Sequence, residues 1–177
     1  MSAVHPVVGP VRFALRCVGA HTATYLACGL FASWALDYAA FWQTDAMQHM
    51  RPLDSPWVAS GPGLQILRGL VLGAALWPFR VVFLSSLGGA LRLWALLVGI
   101  GILSTYGPAP GSIEGVIYTA APLSTHLWGL PEVIAQSGAF ALCLVGWHRH
   151  PARAWSIVLG GGTGLAVLAS IAGAMLG

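Results

Sequence analysis

Residues Ala154–Gly177 read AWSIVLGGGTGLAVLASIAGAMLG, a run of 24 residues without one charged side chain. A helix needs about 20 predominantly apolar residues to cross the hydrocarbon core of a bilayer, whereas apolar runs of about 10–14 residues are typical of soluble cores. The run is long enough for a crossing, and neither Pro nor an ionised residue interrupts it. It therefore predicts a transmembrane helix.

The composition of all 177 residues indicates the same class of protein. Apolar types make up 57% of the sequence and charged types 7%, whereas a soluble domain carries roughly 25% charged residues. So few charges cannot cover a water-facing surface, which excludes an ordinary soluble domain. The high apolar content also excludes a disordered chain. We predict an integral membrane protein whose surroundings are the lipid bilayer.

Four further segments have the length and apolar character of membrane-crossing helices. Pro78 and Arg80 interrupt the second of them, so the end of that helix is the least regular. With the C-terminal run, these segments predict an all-α bundle of about five transmembrane helices in a single domain, 1–177. The predicted helices are residues 11–36, 63–83, 87–106, 130–147 and 154–177.

The charged residues orient this bundle. Six of the eight arginines fall on one side of it, and all five acidic residues fall on the other. Because cytoplasmic loops carry the excess of basic residues, we predict a cytoplasmic N-terminus and an outer C-terminus, in the bacterial inner (plasma) membrane. The six arginines are Arg12, Arg16, Arg80, Arg92, Arg149 and Arg153.

Two long, proline-rich loops, residues 37–62 and 107–129, connect the helices on the outer side and are expected to form a cap. Ordered loops of this length are usually functional. The loops and the adjoining helix ends hold nearly all the polar residues that could act on a substrate. The candidate catalytic or ligand-binding residues are Asp45, His49, Arg51, Asp54, Arg68, Glu114, His126 and Glu132.

Three interpretations of these eight residues remain open. In the first, a carboxylate, a histidine and an arginine converge on a substrate at the membrane surface. In the second, Asp45, His49 and His126 bind a divalent metal ion, since such ligands suit Zn²⁺, Mn²⁺ or Fe²⁺, although no HExxH motif is present. In the third, ion pairs from Arg68 to Asp54 or Glu114 tie the loops into a structural lid.

His21 is the clear polar residue inside the first predicted helix, where Thr22, Thr24 and Tyr25 surround it. An ionisable residue at membrane depth is a functional hypothesis by default. A haem would need a second axial ligand at a similar depth, and no other predicted helix carries a histidine there, so no motif indicates a cofactor. The interpretations left are a proton relay, a quinone contact, or a neutral histidine that hydrogen-bonds a neighbouring helix.

Small residues lie on several predicted helix faces, and Gln65 and Gln136 are polar groups suited to interhelical hydrogen bonds. Small residues let helix backbones approach closely in lipid, either within the bundle or against a partner. The faces that we consider for a membrane-protein partner or for self-association carry Gly69, Gly73, Gly160, Gly164, Ala169 and Gly173.

The function predicted first is therefore a non-catalytic one: an accessory, scaffold or assembly subunit of a larger membrane complex. It follows from the short chain, the small-residue faces and the lack of a catalytic spacing such as G-x-S-x-G. The alternative is a small membrane enzyme, or a ligand- or ion-handling protein, with a polar site at its outer face. A net charge of +3 from scattered arginines does not form a nucleic-acid surface, which requires clustered basic residues.

Overall fold

The computed structural model describes residues 8–48, 50–85 and 88–176, and in these ranges the chain is all-helical without a strand. Five long helical segments form a bundle, and shorter helices lie in the two loops. A 3₁₀ turn, Trp77–Phe79, joins α4 to α5, and a π-helical segment, Gly99–Leu103, extends α6. The helices are α1 (Pro10–Ala35), α2 (Tyr38–Trp42), α3 (Pro56–Ala59), α4 (Gly61–Leu76), α5 (Arg80–Leu84), α6 (Gly89–Val98), α7 (Ile113–Tyr118), α8 (Leu123–Trp128), α9 (Leu130–Arg149) and α10 (Arg153–Leu176).

The long helices lie close to the predicted ranges. The predicted second helix consists of α4 and α5, and the break falls at Pro78 because proline has no backbone N–H and its ring clashes with the preceding turn. The predicted third helix is shorter in the structure, since its helical part ends at Leu103 rather than Tyr106. An all-helical bundle is thus confirmed.

Three helical segments are long and apolar enough to cross a membrane: Gly61–Leu84, Leu123–Arg149 and Arg153–Met175. The segment Gly89–Leu103 is apolar but shorter. Helix α1 has 26 residues, so its length is sufficient, but His21 and its polar neighbours make the middle of this helix less apolar.

Helix α1 is the centre of the bundle and packs against α4, α9 and α10. Arg16 at its start contacts His148 near the end of α9, and His21 contacts Gln136 further back in α9, so the two helices run in opposite directions. Gly162 of α10 packs on Ala23. Gln65 of α4 meets His21 and Gly73 meets Ala14, so α4 also runs opposite to α1. Leu159, one turn before Gly162, lies beside Gly19, so α10 runs parallel to α1. The bundle has one arginine-rich end and one end formed by the long loops.

Glycines allow the closest of these contacts. A Cβ atom at Gly69 would lie 2.7 Å from the Cα of Val18, and one at Gly73 would lie 2.9 Å from the Cα of Ala14. Both distances are below ordinary van der Waals contact, so only glycine allows α4 to lie this close to α1. Gly173 likewise packs on Ala59.

The residues considered for a partner face differ in their surroundings. Gly69, Gly73 and Gly173 are used in contacts inside the bundle. A Cβ atom at Gly160 or Gly164, in contrast, would meet open space, and Ala169 is exposed. Gly160, Gly164 and Ala169 therefore lie on an exposed face of α10.

Candidate functional site

His21 is the centre of a hydrogen-bonded cluster inside the bundle. Only 2% of its surface is exposed, yet both ring nitrogens have partners. Nε2 lies 3.1 Å from Oε1 of Gln65 on α4, and Nδ1 lies 3.3 Å from Nε2 of Gln136 on α9. The ring of Phe140 packs edge-on against the imidazole, with 5.8 Å between centroids. One histidine of α1 thus joins three helices.

The surrounding donors and acceptors determine which ring nitrogen carries the proton. Gln65 donates from Nε2 to the carbonyl of Gly61, so its Oε1 faces His21 and accepts from Nε2–H. The hydroxyl of Thr24 donates to the carbonyl of Ala20, so its oxygen accepts from Gln136 Nε2, 3.5 Å away. The same amide nitrogen of Gln136 therefore donates to His21 Nδ1. The imidazole is neutral, with its proton on Nε2.

A cavity of about 250 Å³ lies beside this cluster, at the loop end of the bundle. Its walls come from α1, α4, α6 and α9, and from the start of the second long loop. Leu72, Leu97, Val133 and Phe140 supply apolar surface. The polar residues that line the cavity are His21, Tyr25, Arg68, Thr105, Glu132, Gln136 and Ser137.

The π-helical segment Gly99–Leu103 forms part of the same wall, because Gly101 and Ile102 line the cavity. π-helical turns are rare and occur frequently at functional sites, where the wider turn displaces side chains from the regular helix face. A Cβ atom at Gly101 would meet nothing within 4 Å. There is therefore open space beside Gly101.

Two polar groups of the cavity are free to bind a ligand. Among the residues that the structure describes, neither the guanidinium of Arg68 nor the hydroxyl of Tyr25 takes part in a hydrogen bond or an ion pair. Glu132, in contrast, accepts a hydrogen bond on Oε2 from the hydroxyl of Tyr38. A ligand in the cavity would therefore meet the Arg68 guanidinium and the Tyr25 hydroxyl, neither of which has a hydrogen-bond partner in the described residues. The neighbouring carboxylate of Glu132 already accepts a hydrogen bond.

The seven candidate residues of the outer cap that the structure describes do not all lie together. Asp45 is exposed and accepts from the side-chain amide of Gln48, three residues away. Arg51 lies over the ring of Trp57, 5.4 Å from its centroid. Only Arg68 and Glu132 line the cavity. Asp45 and Arg51 thus make their contacts within the first loop, away from the cavity.

The expected ion pairs of the lid are also absent within the described ranges. Arg68 forms no pair with Asp54 or with Glu114. Both carboxylates are exposed, Asp54 in the first loop and Glu114 in the first turn of α7, whereas Arg68 lies on α4 beside the cavity. Exposed carboxylates gain little from a pair because water already solvates them.

His126 is a buried loop residue, 3% exposed. Its Nδ1 accepts from the backbone N–H of Gly111, and its Nε2 lies 3.3 Å from Oγ1 of Thr119, which itself donates to the carbonyl of Gly115. Gly111 has φ +84°, a left-handed conformation that glycine adopts without strain. His126 thus fixes the shape of the second long loop.

The described residues provide no ligand set for the predicted metal site. No group of three His, Cys, Asp or Glu side chains there is arranged to hold a metal ion. Asp45 and His126 line one groove of about 580 Å³, but His126 already has a partner for each ring nitrogen. His49, the third predicted ligand, lies outside the described residues.

Sequence reasoning missed Tyr38 and Thr105 as residues of this region. Tyr38 is the partner of Glu132, and its ring lies 4.6 Å from that of Trp128 by centroid. A single aromatic residue after a predicted helix resembles any interfacial residue, so no sequence signal distinguished it. Thr105 lay at the end of an apolar segment and carried no signal either.

No protein-family model, curated protein or solved structure matches this chain. The arrangement of its own side chains is therefore the basis for inferring its function.

Proposed function

We propose that this protein binds a small amphipathic molecule in the cavity beside His21. The observation that carries the proposal is that the guanidinium of Arg68 and the hydroxyl of Tyr25 form no hydrogen bond or ion pair with another described residue, at a cavity whose remaining wall is largely apolar. Ligand sites are mostly apolar concave surfaces with a few convergent polar groups that orient the ligand.

The charges favour a ligand with an anionic polar end. Arg68 is a cation without a carboxylate partner in the described ranges, whereas Glu132 accepts from Tyr38. A guanidinium binds a carboxylate or phosphate through two parallel hydrogen bonds, and the Tyr25 hydroxyl can donate a third. The apolar part of the ligand then packs on Leu72, Leu97 and Phe140.

We further propose that five helices cross the inner membrane of a bacterium, with the N-terminus in the cytoplasm. Beyond the three long apolar segments, α1 is long enough to cross, and α6 continues into the π-helical segment. The alternating helix directions and the separation of arginines from acids support this topology. Cysteine labelling from each side of the membrane tests it: a cysteine at Asp54 should react only from outside, and one at Arg149 only from inside.

Decanoate and decanol, which differ in the polar end alone, are suitable probes of the cavity. In lipid nanodiscs, we expect decanoate to bind more tightly than decanol. Arg68→Gln should weaken decanoate binding about ten- to hundredfold, because it removes a charge-assisted hydrogen-bonded pair. Tyr25→Phe should weaken decanoate binding less. Arg51→Gln is the matched control, since Arg51 is an arginine of the same end that lies over Trp57.

Two results would contradict the ligand site. One is equal affinity for decanoate and decanol. The other is an equal loss of affinity in Arg51→Gln and Arg68→Gln, which would indicate attraction by net charge alone. Correct folding of each variant is checked by the thermal transition of the tryptophan fluorescence.

The second candidate function is a subunit of a membrane complex that docks through α10. The observation in its favour is the open face of α10, where Gly160, Gly161 and Gly164 have no neighbour within 4 Å that an added Cβ would meet. Gly160→Leu and Gly164→Leu should then abolish co-purification of a partner in gentle detergent while the protein remains folded. Unchanged recovery of a complex would count against docking through this face.

A further inference from the structure

The opposite end of the bundle holds a second groove, of about 390 Å³, into which three arginines converge. Arg12 and Arg16 come from the first turns of α1, and Arg153 is the first residue of α10. Trp147 forms an apolar wall, and Ser156 adds a hydroxyl. The groove is thus built from two helix starts and the end of a third helix.

Arg16 is held in place within this groove. Its Nη1 donates to Nδ1 of His148 across 3.3 Å, and its guanidinium lies over the ring of Trp147, 5.6 Å from the centroid. His148 must therefore present Nδ1 as an acceptor, which a neutral imidazole does. Neither contact supplies negative charge, so Arg16 is positioned but its charge is not neutralised by them.

No acidic side chain can balance the three arginines, because all five lie at the other end of the bundle. Asp37 follows α1, Asp45 and Asp54 lie in the first long loop, Glu114 begins α7, and Glu132 begins α9. Arg12 and Arg16 lie four residues apart on one helix, and like charges at this spacing repel each other. An anion placed between them removes that repulsion and gains the attraction of Arg153.

The start of α10 adds to the same electrostatic preference. The helix has 24 residues. The N–H of Trp155 bonds the carbonyl of Ala152, and the N–H groups of Arg153 and Ala154 precede the first intrahelical acceptor. These groups and the helix dipole favour an anion, with phosphate as the common ligand. The tryptophans Trp147 and Trp155 at this end are of the kind that lie at headgroup level.

We propose that this groove, lined by Arg12, Arg16 and Arg153, binds a phosphate group. The phosphate belongs either to an anionic phospholipid of the adjoining leaflet or to a free phosphate ion, and both present the same oxygens to the guanidinium groups. The site is separate from the cavity beside His21 and does not depend on the function proposed for that cavity.

Native mass spectrometry of the detergent-solubilised protein, titrated with phosphatidylglycerol or phosphatidylcholine, tests the proposal. We expect phosphatidylglycerol to bind more tightly. Arg12→Gln and Arg153→Gln should each weaken its binding about fivefold, as expected for one arginine at a headgroup. Both side chains are exposed and have no hydrogen bond to another described residue, so the variants should fold normally.

The matched control is Arg149→Gln, which removes one charge from the same end but lies outside the groove. An equal loss of binding in this variant would overturn the proposal, and so would equal affinity for the two lipids together with no binding of inorganic phosphate. Adding inorganic phosphate at millimolar concentration shows whether the groove binds the free ion or the phosphate of a lipid. Displacement of the lipid supports a site that also takes the free ion, and a phosphatidylglycerol preference without displacement supports a lipid site.

Discussion

Gln136 on α9 donates a hydrogen bond from Nε2 to Nδ1 of His21 on α1 across 3.3 Å. The two residues are 115 positions apart in the chain, and Gln65, on the other side of the ring, is 44 positions from His21. In lipid, a buried polar group must find its partner inside the protein. The bond therefore couples the first and fourth long helices, and it forms one side of the cavity.

A double-mutant cycle measures that coupling. We expect His21→Leu and Gln136→Leu to be coupled by about 0.6–1.7 kcal/mol, the range for side-chain hydrogen bonds between membrane helices. The free energies of unfolding come from reversible denaturation in detergent micelles. The control pairs His21→Leu with Gln43→Leu, an exposed glutamine at the end of α2. A coupling as small as that of the control would show that the His21–Gln136 bond does not stabilise the bundle.

Replacing Thr22, the neighbour of His21, with valine should make the protein more stable. Its side chain is fully buried, and its Oγ1 has no hydrogen-bond partner among the described residues. Thr22→Val removes this unsatisfied hydroxyl at nearly constant volume and should raise stability by about 1 kcal/mol. The matched variant Thr24→Val should lower stability, because Thr24 donates to Ala20 and accepts from Gln136. Thermal unfolding followed by tryptophan fluorescence checks both, and the same sign for both would contradict the assignment.

The helices could be predicted from the sequence because hydropathy and length are local properties. The predicted ranges of α1, α9 and α10 lie within two residues of the observed ends, and Pro78 marked the break after α4. The polar position at His21 could also be identified from the sequence, since a histidine is unusual inside an apolar run. Its partners were not assigned, because the faces that meet depend on packing between segments far apart in the chain.

The described candidate residues of the outer cap lie apart for a different physical reason. In the first loop, polar groups bond others nearby in the chain. Gln48 donates to the carboxylate of Asp45, and Trp42 donates from its indole to the backbone carbonyl of Arg51. The prediction placed these residues on the same side of the membrane, but residues on the same side can still lie far apart. The residues that do converge, Arg68 and Glu132, lie on helices whose positions are fixed by close packing.

Close packing itself is testable at Gly69. A Cβ atom there would lie 2.7 Å from the Cα of Val18, so Gly69→Ala should force α4 away from α1 and lower stability by about 1–3 kcal/mol. Gly164→Ala is the control, since that Cβ would meet open space, and alanine is the better helix former. We expect it to leave stability unchanged or to raise it, as measured by thermal unfolding. Equal destabilisation by the two substitutions would contradict the packing.

A substitution of His126 distinguishes a structural role of this histidine from a role as a metal ligand. His126→Leu leaves the buried N–H of Gly111 without its acceptor, whereas the hydroxyl of Thr119 still donates to Gly115. An unsatisfied buried group costs about 1–3 kcal/mol. We expect lower stability and faster proteolysis in residues 107–122. Asp45→Asn, on the same groove but exposed, should change neither. Zinc protection that is lost in both variants would instead indicate that Asp45 and His126 act together as ligands.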